Sequence, residues 1–155
     1  MQYVTHLAMG LIIGQVSDNY TAALVGSFVI DLDHLPLLMR SRTLFDLKKF
    51  LRSTFEEESE AYGNERGILH GLPSWFLCSL PLLFIDTNLA LTFSGAYLAH
   101  LFLDAVDGAN FYPFAPSRLV SLKGPIPYAS WQELIFGLGL FVVFYVVWSN
   151  GVTFL

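Results

Sequence analysis

The stretch VIDLDHLP, Val29–Pro36, sets three ionisable side chains into an otherwise apolar run. Asp31, Asp33 and His34 lie near the end of that run, which begins at Thr21. Two carboxylates and an imidazole in apolar surroundings are costly unless something compensates for their charge. A bound cation is the simplest compensation, because it makes ligands of carboxylates and neutral imidazoles. The stretch therefore predicts a metal site.

The composition is that of an integral membrane protein. Of 155 residues, 54% are hydrophobic and only 14% are charged, and the mean hydropathy is +0.55. Soluble domains carry roughly 25% charged residues. The length allows one domain, a single membrane domain over residues 1–155. The composition is not that of a nucleic-acid-binding protein, so we expect no nucleic acid partner.

Five apolar runs predict an all-α fold, an integral membrane bundle of about five transmembrane helices. The runs cover residues 1–16, 21–39, 68–85, 89–106 and 134–148. The first two would span roughly 24–28 Å as helices, slightly short of a roughly 30 Å hydrocarbon core, which local thinning of the bilayer accommodates. Pro73 and Pro81 predict kinks in the third helix, which neighbouring helices can cover.

Two polar regions separate these runs. Residues 40–65 form a charged insertion in which Leu44, Leu47, Leu51 and Phe55 recur at helical spacing. This pattern is typical of a helix lying on the membrane surface, and a cytosolic loop that binds nothing is the alternative. Residues 107–130 contain four prolines, which predict a structured loop and not a helix.

The basic residues predict the orientation in the membrane. All eight Lys and Arg residues fall in these two regions or at their borders, whereas the other short loops carry Asp18 and Asp86. Five alternating spans place both basic regions on the side of the N-terminus, and the positive-inside rule makes that side cytoplasmic. We therefore expect a multi-pass protein of the plasma (inner) membrane in contact with membrane lipid. The sequence leaves homo-oligomerisation open.

On this topology, the ionisable residues of four helices come to a common depth at the cytoplasmic ends. They are His6, Asp31, Asp33, His34, His70, His100, Asp104 and Asp107. Neighbouring helices run in opposite directions, so a shared depth requires that the positions of these residues alternate between helix starts and helix ends. The result is a cytoplasm-facing polar cup, and bundles build metal sites in this way.

Spacing within the helices supports a shared site. His100 and Asp104 are four residues apart and Asp31 and His34 are three apart, so each pair lies on one helix face. The predicted metal ligands are His6, Asp31, His70, His100 and Asp104. Mixed His and carboxylate ligation suits one or two divalent ions of Zn, Mn or Fe, and the sequence does not choose among them.

Several of these residues also have a role that needs no metal. His6 could be an interfacial residue, Asp33 could cap a helix or pair with Arg40, and Asp107 could merely end the fourth helix. Arg66 could anchor the protein at the membrane surface, hold a substrate phosphate or pair with a ligand carboxylate. The convergence of all of them at one depth favours the shared metal site.

Five short motifs also carry a resemblance to a known family. They are THLAMG (Thr5–Gly10), GSFVIDLDH (Gly26–His34), ERGILHG (Glu65–Gly71), AHLFLDAVDG (Ala99–Gly108) and YPF (Tyr112–Phe114). In this order they resemble the YdjM/YfhP-type family, described as LexA-binding, inner-membrane-associated metal-dependent hydrolases. The resemblance covers about residues 5–114 and leaves the last helix uncovered.

One motif departs from the family pattern. The family usually shows a His-Arg-Gly-x-Thr-His-Ser box, of which Arg66, Gly67 and His70 match here. Glu65 stands in place of the first His and is an additional candidate ligand. Asp107, in the fourth motif, is another. The order of an early His, then Asp, then His, then His-x-x-x-Asp is also similar to that of zinc-dependent phospholipase C and related all-α phosphoesterases.

The resemblance implies a membrane-embedded metal-dependent hydrolase, and we expect a phosphoesterase acting on a lipid or amphiphilic phosphate at the inner leaflet. The candidate catalytic residues are Asp33 or His34, as a general base or bridging ligand, and Arg66, as a phosphate clamp. One alternative is a non-catalytic membrane protein with a structural metal site and a cytoplasmic docking arm. An ion transporter would need polar residues at mid-membrane and on both faces, and the apolar outer halves disfavour it.

Overall fold

The computed structural model describes residues 3–50 and 66–154, in which the regular secondary structure is helical and no strand occurs. The α-helices are α1 (Tyr3–Ser17), α2 (Tyr20–Phe28), α3 (His34–Arg40), α4 (Leu72–Ser79), α5 (Thr87–Val106) and α6 (Trp131–Ser149). Short 3₁₀ helices cover Val29–Asp33, Thr43–Phe45, Ile68–His70 and Leu80–Phe84. The predicted surface helix over residues 44–55 lies only in part within the described residues, and Glu65 lies outside them.

Side-chain caps fix where three of these helices begin. The Asn19 side chain accepts a hydrogen bond from the Ala22 N–H at 3.0 Å, and Asp86 accepts one from the Leu89 N–H at 2.7 Å. At the start of α6, Glu133 accepts from the Ala129 N–H at 2.7 Å while its own N–H donates to Ser130. Such caps satisfy backbone donors that have no partner within the helix.

Among the residues that the structure describes, three helical stretches are long and apolar enough to cross a membrane. They are Tyr20–Arg40, Thr87–Val106 and Trp131–Ser149. Two further apolar helices, Tyr3–Ser17 and Leu72–Phe84, are shorter. The predicted all-helical class is confirmed within the described residues, whereas only three of the five predicted spans reach full length. The third run is shorter than predicted because its first residues form a separate 3₁₀ turn, Ile68–His70, before α4 begins.

The stretch around Asp31 breaks the second run into three parts. A continuous helix is expected over residues 21–39, but the backbone tightens into a 3₁₀ helix over Val29–Asp33 before α3 resumes at His34. In a 3₁₀ helix the side chains at i and i+3 eclipse each other. Asp31 and His34 therefore project to the same side more closely than a regular α-helix would allow.

Helices α2 and α5 lie together at the centre of the bundle, and α1 packs against both as well as against α6. Their close approach depends on Gly26, because a Cβ atom there would stand 2.5 Å from the Phe93 carbonyl oxygen. Around this contact lies an apolar core that includes Ile30, Tyr97 and Leu101. The core holds the ends of α2 and α5 in fixed register, and candidate ligands lie on α5 and in the 3₁₀ turn that follows α2.

The Pro-rich loop after α5 is held against the end of that helix by backbone hydrogen bonds. Gly124 N–H donates to the Asp107 carbonyl at 2.8 Å, and Ile126 N–H donates to the Val106 carbonyl at 3.2 Å. Phe111 and Leu122 exchange two further bonds of 2.8 Å. The loop therefore folds back over the end of the bundle from which Asp104 and His100 project.

We predict that Gly26→Ala lowers the free energy of unfolding by about 1–3 kcal/mol, because the new methyl group meets backbone of α5 that has no room to move. The matched control is Gly95→Ala, since nothing lies within 4 Å of a Cβ built there. That variant should be neutral or stabilised by up to about 1 kcal/mol, because alanine is the better helix former. Unfolding of both variants in detergent micelles checks this, and equal losses would contradict the close helix contact.

Candidate metal centre

Six imidazole and carboxylate side chains meet at one end of the bundle, and we call them the His/Asp cluster. Its members are His6 of α1, Asp31 of the Val29–Asp33 turn, His34 of α3, His70 before α4, and His100 and Asp104 of α5. They form two donor sets, in each of which one ligand atom per residue lies within 4.8 Å of the others. The first set is His6, His100 and Asp104, and the second is Asp31, His34 and His70.

The first donor set is built around the Asp104 carboxylate. His6 Nε2 lies 3.6 Å from Asp104 Oδ1, and His100 Nε2 lies 3.5 Å from Asp104 Oδ2. The two imidazole rings stack with 3.8 Å between their centroids and 15° between their planes. The carboxylate therefore faces a ring nitrogen of α1 on one oxygen and a ring nitrogen of α5 on the other.

The second donor set is built around the Asp31 carboxylate. Asp31 Oδ1 lies 3.6 Å from His34 Nε2 and 3.7 Å from His70 Nε2. The eclipsed arrangement of Asp31 and His34 in the 3₁₀ turn makes the first of these contacts. The second brings in the segment that follows the charged insertion.

The two sets touch each other. His70 Nε2 lies 3.5 Å from Asp104 Oδ2, and His100 Nε2 lies 3.7 Å from Asp31 Oδ1. Ligand atoms about 2.1 Å from a tetrahedral ion stand about 3.4 Å from one another. The nitrogen–oxygen separations of the cluster are only slightly larger than this, so its donors are spaced as ligands of shared ions.

Contacts behind the imidazoles aim their Nε2 atoms into the cluster. His100 Nδ1 lies 2.6 Å from the Ser27 carbonyl oxygen, which can only accept, so the proton lies on Nδ1 and the Nε2 lone pair faces the carboxylates. His70 Nδ1 lies 3.1 Å from Asp33 Oδ2. The same Asp33 oxygen accepts a hydrogen bond from the Leu69 N–H at 2.9 Å, which fixes the carboxylate behind the ring.

Asp33 fits behind His70 only because Gly67 has no side chain. A Cβ atom at Gly67 would stand 2.6 Å from Asp33 Oδ2 and 2.8 Å from its carboxyl carbon. The backbone of the segment that carries His70 therefore lies directly against the carboxylate that orients it.

The cluster is buried and incompletely satisfied. The side chains of His6, His70, His100 and Asp104 are at most 4% exposed, whereas Asp31 is 15% exposed. Among the described residues, His100 Nε2 and Asp31 Oδ2 have no hydrogen-bond partner, and neither has Nδ1 of His6 or His34. Buried polar atoms without partners are costly, and a cation in the cluster would satisfy His100 Nε2, whose lone pair faces the carboxylates. The donor set therefore fits a divalent metal.

Arg66 binds the carboxylates on the loop side of the cluster. Its guanidinium lies 3.1 Å from Asp104 Oδ1 and 2.7 Å from Asp107 Oδ2, and it donates to the Asn110 carbonyl at 3.0 Å. Burial opposes its charge, but Asp104 and Asp107 outweigh burial and raise the pKa of Arg66 above its usual value. The carboxylates of Asp31, Asp33, Asp104 and Asp107 outnumber the single guanidinium of Arg66. One or two divalent ions would neutralise this excess of negative charge.

The structure brings together all five predicted ligands, and it places His34, which the sequence predicts as a general base or a bridging ligand, in the second donor set. Asp33 lies behind His70 and Asp107 lies beside Arg66, so neither belongs to a donor set. Glu65 lies outside the described residues. Sequence reasoning missed the Ser27 and Asn110 carbonyl oxygens, and no signal could have found them, because every residue type has a carbonyl group.

The comparisons with known proteins agree with the membrane assignment. A family model described as YdjM inner membrane protein matches residues 1–155. This match confirms the resemblance carried by the short motifs and extends it over the last helix. No curated protein and no solved structure matches the chain.

We predict that Asp33→Asn weakens metal binding about 10- to 100-fold, as changes in residues that orient metal-bound His do elsewhere. The asparagine retains an acceptor for the Leu69 N–H but removes the charge behind His70. Chelator competition on the purified protein measures the affinity. Asp18→Asn, at a turn remote from the cluster in sequence, is the control and should bind metal as the unaltered protein does. Equal affinity in both variants would rule out the orienting role of Asp33.

Proposed function

Because this chain belongs to the YdjM inner membrane protein family, we propose that it is a membrane-embedded, metal-dependent hydrolase whose metal centre is the His/Asp cluster. The observation that carries the proposal is the meeting of two donor sets from four segments of the chain at one buried place. Buried ionisable residues in membrane helices are costly and mark functional sites.

Each donor set offers three protein ligands. His6, His100 and Asp104 would hold one ion, and Asp31, His34 and His70 would hold a second. Catalytic zinc sites characteristically have three protein ligands and an open position, whereas structural sites are closed by four. The count of three favours a hydrolase over the alternative of a purely structural metal site. Zinc, manganese and iron all suit these ligands.

A divalent ion in such a site supplies a Lewis acid and an activated water nucleophile near neutral pH. The residues of the chain orient the ligands and exclude water. His70 and His100 are locked by Asp33 and the Ser27 carbonyl, so their Nε2 atoms keep one direction. Burial of the cluster keeps bulk water away from the side facing the helices, which strengthens every electrostatic interaction within it.

The substrate that we propose is a lipid or amphiphilic phosphate. Asp31 is the more exposed of the two carboxylates of the cluster, and the nearby side chains of Leu32 and Leu35 are apolar and exposed. Ile68, two residues before His70, is also exposed. An amphiphile could keep its chain in these apolar surroundings while its phosphate reached the metal ions, which stabilise phosphoryl oxygens.

Arg66 would act on a substrate only indirectly. Its guanidinium is engaged by two carboxylates and a carbonyl oxygen. We therefore assign it to holding Asp104 in place, which is one of the roles that the sequence leaves open, rather than to clamping a phosphate.

We also propose that five segments cross the membrane and that the cluster faces the cytoplasm. The cluster draws on the start of α1, the end of the second run, the residues before α4 and the end of α5. These positions coincide at one end of the bundle, as alternating spans require. In the sequence, the basic residues lie in the two polar regions that adjoin these positions, and the positive-inside rule assigns that side to the cytoplasm.

The first test is metal content. Purified protein should contain one or two divalent ions per chain, measured by mass spectrometry of the elements. The double variant His100→Ala, Asp104→Ala should lose them, because it removes two ligands of one set and a close neighbour of the other. Asp18→Asn should retain them. A metal-free unaltered protein, or a double variant that keeps its metal, would refute the centre.

The second test is hydrolysis. In nanodiscs with phospholipid phosphates, the metal-loaded protein should release water-soluble phosphate or headgroup, followed by ³¹P NMR. A chelator should reduce the rate to background, and returning the metal should restore it. His100→Ala should stay at background while Asp18→Asn keeps the full rate. A stoichiometrically loaded protein that turns over no phosphate ester would instead favour the structural metal site with a docking arm.

A further inference from the structure

We propose that the segment Ser117–Lys123, here called the anchor loop, inserts apolar side chains into the membrane surface beside the His/Asp cluster and binds anionic phospholipid headgroups. The proposal goes beyond the hydrolase function and does not depend on whether the cluster holds a metal.

The anchor loop presents three exposed apolar side chains. Leu119 is 95% exposed, Leu122 is 44% exposed and Val120 is 42% exposed. Exposed contiguous apolar side chains mark surfaces that meet a partner or a lipid phase. A charged or polar loop would be expected here if this region only met water.

The anchor loop is held at the level where a membrane span ends. Its base is tied to the end of α5 by the backbone bonds between Phe111 and Leu122 and between Gly124 and Asp107. Gly124 lies so close to the Val106 carbonyl that a Cβ atom would overlap it. Since α5 is long and apolar enough to cross a membrane, the loop at its end lies at the bilayer boundary.

The charges beside these apolar side chains select the kind of lipid. Arg118 and Lys123 flank the exposed residues, and no acidic residue occurs between Asp107 and Glu133. The Arg118 guanidinium lies over the Tyr112 ring, 5.5 Å from its centroid, which holds it on the loop. Basic residues at a membrane surface are attracted to anionic lipid. Apolar side chains between two cations therefore fit an anionic bilayer surface rather than a water-soluble partner.

The chain offers a clean labelling experiment, because Cys78 is its only cysteine. In a Cys78→Ser background, Leu119→Cys is labelled with an environment-sensitive fluorophore, and the full-length protein is placed in nanodiscs. The matched control is Ser121→Cys in the same loop, because the Ser121 hydroxyl lies 3.5 Å from the Asn110 side chain and is not part of the apolar surface. Both positions are exposed, so neither variant removes packing from the core.

We expect the label at position 119 to emit at shorter wavelength and to be quenched by lipid-borne nitroxide more strongly than the label at position 121. Anionic phospholipid should increase this difference over zwitterionic lipid. The increase should disappear in Arg118→Gln, Lys123→Gln protein.

Three outcomes would overturn the proposal. The label at position 119 could be quenched by aqueous iodide as fully as the label at position 121. Its immersion could be the same with zwitterionic and anionic lipid. Shielding could also appear only in nanodiscs that hold two copies of the protein, which would identify a second chain as the occupant. Loss of the folded state would be visible as loss of the helical circular dichroism signal. In that case Leu119→Ser replaces the labelled variant, and anionic lipid should stabilise it less than it stabilises the unaltered protein; equal stabilisation of both would overturn the proposal.

Discussion

Burying several carboxylates and imidazoles among apolar helices is the constraint on which this structure depends. Such groups are costly in isolation, and their mutual contacts remove only part of that cost. Asp31 and Asp104 each face more than one imidazole nitrogen, and Arg66 neutralises part of the charge of Asp104. The remaining excess of negative charge and the nitrogen lone pairs aimed into the cluster are what a divalent cation would compensate.

The fold positions the His/Asp cluster by fixing the backbone as well as the side chains. Gly26 lets α2 approach α5 closely, and the carbonyl oxygen of the next residue, Ser27, accepts a hydrogen bond from His100 Nδ1–H. The tight 3₁₀ turn then directs Asp31 towards His34 and His70. Helix α5 contributes ligands to the cluster and, at its end, holds the loop that lies over it. The residues that pack α2 against α5 thus lie within a few residues of those that orient or supply the candidate metal ligands.

Much of the site could be predicted from the sequence, because alternating helix directions constrain where ionisable residues come to a common depth. His6, Asp31, His70, His100 and Asp104 meet as this reasoning predicts. The 3₁₀ turn could not be predicted, because apolar periodicity does not distinguish it from a continuous helix, although the spacing of Asp31 and His34 already places both on one face. The partners of Arg66 were left open, since its reach across the loop to Asn110 depends on tertiary structure. The third helical stretch is shorter than its apolar run, whereas the second, fourth and fifth are longer, because hydropathy does not reveal where a helix begins or ends.

Gly67 carries a consequence for how tolerant the centre is to variation. It has no chemical group of its own, yet any side chain at this position would displace Asp33 and, through it, release the ring of His70. Substitution of this glycine is thereby as restricted as substitution of a metal ligand. In a survey of natural or engineered variants, intolerance at this glycine would indicate a fixed spacing between two segments rather than a reactive group.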